Sequence, residues 1–309
     1  MNNDRRTTLL IIAAFFAIYV IWGSTYLLNK MAVNELPPFM LAGVRFTTAG
    51  LLIFAIALGS GQSIRVTPRQ LRNTAIAGFL FLSFGNGVVV WALKYVDSGF
   101  AALEIAAQPL LILLMMRVLQ GKKIQPMSVI GIILGFIGMY LLVGQESLLA
   151  KEHAVIGIFM ILACMLSWGY GSLFVGTADL PKNYFVNTAY QMSIGGLLLL
   201  LMSVAFGESW SSPLQWSGQV QWVMILLVVF GSIIAFTSFN YLLKVVSPEK
   251  VATSTYVNPI VALFLGWYFL DETVTMRSLA AAAVLLTGVY FINTKKKLVL
   301  LARFRKKAG

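Results

Sequence analysis

Asp97-Ser98-Gly99-Phe100-Ala101-Ala102-Leu103-Glu104-Ile105-Ala106-Ala107-Gln108-Pro109 and Ser247-Pro248-Glu249-Lys250-Val251-Ala252-Thr253-Ser254-Thr255-Tyr256-Val257-Asn258-Pro259 hold the same place in two copies of one pattern. Moving residues 91–140 forward by 150 also lays Lys94 on Lys244, Gly138 on Gly288 and Tyr140 on Tyr290. A shift of 146 lays the earlier Trp22-Gly23 on Trp168-Gly169, Gly50 on Gly196, and Arg45 on Gln191. The difference of four residues fits a length change in one loop. Each copy reads as five apolar segments. A doubled unit with an odd number of spans carries its second copy upside down. Inverted repeats of this kind are a plan of secondary transporters, with the solute site near the midplane between the halves.

Composition gives the solvent. Of 309 residues, 59% are hydrophobic and 11% charged, against about a quarter charged in soluble domains. Such a chain cannot hide its apolar side chains in one globular core. A membrane-spanning helix needs about 20 mostly apolar residues. Ten such segments are expected, at 7–28, 38–58, 71–92, 98–119, 126–144, 154–176, 184–206, 220–243, 250–270 and 276–294. They are too long for barrel strands, and backbone groups in lipid must be satisfied within the segment, so the expectation is helices. The fold class is therefore an all-α membrane protein, ten transmembrane helices in two inverted five-helix repeats. The first repeat covers 1–145, the second 153–296, and a basic tail follows at 297–309.

The net charge of +12 suggests nucleic acid only while its distribution is ignored. With the N-terminus inside, eighteen of the 23 Lys and Arg fall on inner segments and four on outer ones; the remaining one is Arg45. That bias follows the positive-inside rule and places both termini in the cytoplasm. The tail from Lys295 to Lys307 is a topology anchor, or a contact for anionic membrane lipid. No nucleic-acid partner is expected. The first apolar run is too long for a signal-peptide core and is repeated internally, so cleavage is not expected. One cysteine, Cys164, excludes an intrachain disulfide.

Pro109 and Pro259 stand near the middle of the fourth and ninth segments. Each removes an amide donor and crowds the carbonyl four residues back, at Ile105 and Thr255. They read as a hinge pair, or as static kinks. In the fifth segment Gly131, Gly135 and Gly138, and in the tenth Ala280 to Ala283, permit close helix contact, within one chain or in a homodimer.

Ionisable side chains at membrane depth are costly and point to function. Two lie well within segments, Arg45 and Glu104. At a rise of about 1.5 Å per residue both sit roughly 4–7 Å outward of their segment centres. At that shared depth they can meet as an ion pair that fixes packing. The functional reading gives Arg45 a substrate carboxylate and makes Glu104 a proton-coupling group. Glu104 and Gln108 share a helix face, and their repeat partners Ser254 and Asn258 are also polar. With Gln191 opposite Arg45 in the repeat, these stripes read as a cavity lining, or as interhelical hydrogen bonds without a solute. Trp22, Tyr26, Trp168, Tyr190 and Tyr256 complete the candidate lining. Aromatic faces hold apolar solutes and stack on cations. Trp91 and Tyr95 read as interface anchors.

Ile21-Trp22-Gly23-Ser24-Thr25, Pro37-Pro38 and Gly43-Val44-Arg45-Phe46 resemble the first two spans of the drug/metabolite transporter superfamily, in its ten-helix EamA-like branch of bacterial inner-membrane exporters. Ser247-Pro248 through Asn258-Pro259, and Leu270-Asp271-Glu272-Thr273, are similar to that family's ninth span and the loop after it. The likeness runs over about residues 10–295. It implies efflux of small metabolites, often amino acids or related compounds, sometimes toxic cations or aromatics. Arg45 matches a family feature; Glu104 does not. Gly121-Lys122-Lys123 stands where the family more often has Glu, so no acidic role carries over there.

One His, one Cys and no Walker A pattern leave no zinc cluster, no convincing nucleophile–His pair and no ATP site. Neither an enzyme nor a cofactor is expected. The expected partners are a small-molecule metabolite, membrane lipids and protons as a coupling ion, with the chain a monomer or homodimer. One rival keeps the fold and moves a phosphorylated solute or sugar nucleotide. That cargo favours several buried cations, and the segments hold Arg45 alone. Another rival, a non-transporting sensor or scaffold, needs more surface than these short loops offer.

Overall fold

The computed structural model describes residues 2–144, 152–246, 251 and 254–293. Its described residues are helical with no strand. Eight helices are long and apolar enough to cross a membrane: α1 (Thr7–Val33), α2 (Pro38–Gly59), α3 (Pro68–Ala92), α4 (Ser98–Gln120), α5 (Pro126–Val143), α6 (Ala154–Val175), α7 (Tyr184–Ala205) and α8 (Gly218–Leu242). Two further helices are α9 (Ser254–Leu270) and α10 (Met276–Asn293), with shorter apolar stretches at Val257–Leu270 and Met276–Phe291. The exterior is apolar too, with Tyr140, Phe159, Leu201, Val204 and Trp222 well exposed. This is the surface of a multi-pass membrane protein, whose solvent is lipid.

Local chemistry sets most helix ends. Proline occupies the first turn of α2, α3 and α5, where its missing N–H is no loss. Thr67 and Gln70 close a capping box on α3. Asn183 caps α7 by accepting from the Phe185 and Val186 amides, at 2.9 and 3.4 Å. Helix α4 starts after Asp97 as expected, yet its first two amides, of Ser98 and Gly99, donate to Glu272, 174 residues away from Ser98 in sequence. The equivalent stretch of the second copy, Ser247-Pro248-Glu249, lies outside the described residues.

The most extensive packing joins α2 to α7 and α5 to α10, and α4 also packs against α9. These are the pairs that the sequence repeat equates. The α2–α7 contact runs antiparallel: Gly43 meets Leu200, Thr47 meets Gly196, and Gly50 meets Ser193. Adding 146 to the pair Thr47 and Gly50 gives Ser193 and Gly196, so two of these contacts exchange under the repeat. At α5–α10, Gly138 meets Leu285 while Gly288 meets Gly131 and Gly135. Small residues let these backbones approach within one chain, the packing the Gly131–Gly138 run allows.

A methyl group at Gly196 collides with the Thr47 amide nitrogen, which belongs to backbone and cannot swing aside. Gly196→Ala therefore costs about 1–3 kcal/mol by overpacking. Gly59→Ala, which meets open space, is neutral or slightly stabilising. Thermal unfolding of both variants in detergent checks the contrast.

Candidate functional site

Three of the helices are not regular along their length. Within α1 the stretch Ala17–Ile21 is π-helical, as are Phe79–Asn86 in α3 and Leu227–Ile234 in α8. A π turn widens the backbone spiral and is concentrated at functional sites. Carbonyls in each stretch accept from side chains of neighbouring helices. Asn258, with its amide nitrogen turned toward α1, donates to Ile18 O at 2.9 Å and Tyr19 O at 2.8 Å. Ser167 Oγ donates to Leu80 O at 2.8 Å, and Cys164 Sγ to Phe84 O at 3.7 Å. Trp22 Nε1 donates to Gly231 O at 3.3 Å. The sequence reading missed all three π stretches. Their signal was Ser83-Phe84-Gly85-Asn86 and Gly231-Ser232, small and polar residues inside otherwise aliphatic runs.

Helix α4 breaks outright. It is α-helical over Ser98–Ile105 and again over Gln108–Gln120, with Ala106 and Ala107 as a turn between. The Ala107 amide reaches back only three residues, to Glu104 O at 3.0 Å. Pro109, with no amide and a ring that crowds the carbonyl of Ile105, is the cause. Its repeat partner acts differently: Pro259 sits inside a helix that stays continuous over Ser254–Leu270.

Arg45 is 2% exposed. Its Nε donates to Ser232 Oγ at 2.8 Å and its Nη1 to Asn29 Oδ1 at 3.2 Å, and the guanidinium lies 4.7 Å from the Phe46 ring centre. Every one of these partners is neutral. Glu104 is 1% exposed, and neither carboxyl oxygen has a hydrogen-bond partner among the described residues. It lies within electrostatic reach of Cys164 on α6. The two groups thus form no ion pair with each other. Depth was read from position along each helix, but meeting also depends on which way each helix turns its face. Arg45 turns toward α1 and α8, and Glu104 toward α6.

The remaining candidates fall in several small groups. Gln108 Nε2 donates to Met165 O at 2.9 Å. Gln191 Nε2 donates to Asn187 Oδ1 at 3.2 Å, while its Oε1 has no partner. Ser254 is buried and Tyr26 half-buried. Arg45, Gln108, Gln191 and Asn258 do not hydrogen-bond to one another. Tyr190 turns away from the centre: its hydroxyl donates to Ile64 O at 3.0 Å and its ring meets Phe54 edge-on. Of Tyr256 only the backbone is described, so its side chain lies outside the described residues. Trp22 and Trp168 meet edge to face, 6.3 Å between ring centres, and Phe81, Phe236 and Phe239 complete an aromatic cluster around them. A cavity of about 460 Å³ lies elsewhere, between α2, α3, α6 and α7. Phe39, Phe84, Trp91, Phe159 and Phe206 line it, and none of the polar candidates does. Trp91, expected as an interface anchor, is part of that wall.

A model of the EamA-like transporter family matches residues 9–144 and again residues 155–294. The chain belongs to the EamA-like transporter family. Membership makes it a transport protein and not an enzyme. It is 35% identical over 294 residues to "Uncharacterized inner membrane transporter YedA" of Escherichia coli (strain K12), covering 95% of this chain and 94% of that one. It is 28% identical over 301 residues to "Uncharacterized transporter YvbV" of Bacillus subtilis (strain 168), covering 96% and 95%. A crystal structure 21% identical in sequence superposes with a TM-score of 0.65 over 96% of this chain and 99% of that one. At that identity the likeness shows the fold alone. The double match of one family model agrees with the contact exchange at Thr47, Gly50, Ser193 and Gly196.

Asn258→Leu leaves two carbonyls of α1 without their donor in an apolar setting. Each unsatisfied group costs about 1–3 kcal/mol. The variant is expected to melt well below wild type and to gain hydrogen exchange at Trp22 to Ser24, while Ser254→Ala changes little. Calorimetry with exchange mass spectrometry checks both.

Proposed function

We propose that this chain is a secondary transporter of the bacterial inner membrane that exports a small organic metabolite by alternating access. The solute is an amino acid or related compound, or a drug-like cation. The reading comprises ten spans in two inverted five-helix modules, 1–145 and 153–296, with both termini in the cytoplasm. The Lys and Arg distribution supports that orientation. The inner-membrane assignment follows the relative named as an inner membrane transporter.

One observation carries it. Two ionisable side chains are buried within spans, and among the described residues Arg45 has neutral partners only and Glu104 has none. Burying a charge is costly unless it is paired. A fold that keeps both groups uncompensated keeps them for something that arrives and leaves. A carboxylate solute supplies the missing partner of Arg45; a proton or a cationic group supplies that of Glu104. The α4 break beside Glu104 is where one end of the helix can tilt against the other, with Pro259 as its counterpart in α9. The aromatic cluster around Trp22 and Trp168 offers faces for an apolar or cationic solute.

Labelled amino acids, nucleosides and cationic drugs in proteoliposomes, with and without a pH gradient, test the proposal. Arg45→Gln is expected to lower transport of a carboxylate solute at least about tenfold, the loss of one charge-assisted contact. Glu104→Gln is expected to abolish accumulation driven by the pH gradient while downhill exchange persists. Gradient-driven accumulation left intact in Glu104→Gln rules out the proton role.

A further inference from the structure

The loops 34–37, 93–97, 206–217 and 271–275 gather on one face, here the far face. There two carboxylates from the second half clasp helix starts in the first half. Glu208, just past α7, accepts from Phe39 N at 3.0 Å and Met40 N at 2.8 Å at the start of α2. Ser203 Oγ, itself bonded to Trp210 Nε1, donates to Glu208 at 2.6 Å and holds the carboxylate in place. Glu272, between α9 and α10, accepts from Ser98 N at 2.7 Å and Gly99 N at 3.0 Å at the start of α4. Gly266 leaves the space this carboxylate fills. Each clasp takes two amides that a helix start leaves orphaned, with a negative charge where the helix dipole favours it. A third far-face bridge, Ser217 to Glu35, is exposed.

The opposite face is built differently at the equivalent positions. Adding 146 to Phe39 and Met40 gives Phe185 and Val186, whose amides are taken by Asn183 of their own helix. The counterpart of Glu208 is Gln62, whose side-chain oxygen accepts from the Asn183 side chain instead of from helix amides. The counterpart of Glu272 is Lys122, and that of Ser98 is Pro248, which has no amide to give. Among the described residues the other bonds between halves on that face are Asn73 to Asp179 O, Tyr190 to Ile64 O, and an exposed one from Gln70 to the Asp179 carboxylate. No carboxylate takes paired helix amides there among the described residues.

We propose that Glu208 and Glu272 are twin latches that hold the far face shut and make the state closed on that face the resting one. The inference rests on the alternating-access reading. In a carrier of two superimposable halves, opening one face mirrors opening the other, so preference between them comes from positions where the halves differ. The latches are such positions. With the termini in the cytoplasm, the far face is external, and the resting carrier faces the side from which an exporter loads.

Distances between nitroxide labels in a Cys164→Ala background test this in lipid. Asn34→Cys with Leu214→Cys reads the far face, and Ser63→Cys with Lys182→Cys the near face. Glu208→Gln and Glu272→Gln keep shape and remove charge. Each is expected to raise the ratio of far-open to far-closed molecules about tenfold, the double variant further, with the near face closing in step. Gly266→Ala, whose methyl displaces the Glu272 carboxylate, reproduces Glu272→Gln by a second route. The same two label pairs are read in the wild-type latch background while solute is being exchanged. If the far and near distances change in opposite senses there and both single Gln variants leave the far-face ratio at its wild-type value, the latches are overturned and alternating access stands. If the two distances never change in opposite senses, alternating access falls and the latches fall with it.

Discussion

In lipid a backbone group that leaves its helical ladder finds no water, so another part of the protein must meet it. That constraint organises the middle of this molecule. Helices α1, α3 and α8 pass through π turns and α4 breaks, all within the spans. Asn258, Ser167, Cys164 and Trp22 reach across to the carbonyls involved. Each π stretch is thereby tied to a different neighbour, α1 to α9, α3 to α6 and α8 to α1. The central helices are held to one another by polar bonds to backbone as well as by side-chain packing. Such bonds are few, local and exchangeable, which suits helices that must shift against one another.

The outer framework obeys the opposite rule. Helices α2 and α7, and α5 and α10, meet through glycine, with backbone against backbone. Contacts this close tolerate no added bulk. They frame the irregular centre, and the exchange of Thr47 and Gly50 with Ser193 and Gly196 gives the α2–α7 seam an approximate two-fold character. The same repeat makes the unequal positions informative. Glu208 against Gln62, Glu272 against Lys122, Arg45 against Gln191, and a broken α4 against a continuous α9 mark where two copies of one plan have taken different work.

Much of this was legible in the sequence, because lipid leaves few options. The long apolar runs placed the helices, Pro109 placed the break, and the offsets 146 and 150 placed equivalent residues opposite one another. What stayed illegible depends on direction around a helix, not position along it. Arg45 and Glu104 share a depth but face different neighbours. Tyr190, adjacent to Gln191 in sequence, points to the loop at Ile64 instead of the centre. The π turns leave only a faint trace in Gly, Ser and Asn, since the pattern of apolar residues barely changes when one residue is added to a turn. Capping of α4 by Glu272 joins residues 174 apart, and no local signal announces it.

The central claim is that one buried site meets each side of the membrane in turn. Its most direct test is a single cysteine at Gln108→Cys, beside the α4 break, in a Cys164→Ala background. Membrane-impermeant maleimide is applied to oriented vesicles from one face or the other. The account predicts labelling from both faces, with prior reaction from one side abolishing reaction from the other. Labelling from one face alone, under conditions where solute is being moved, contradicts it.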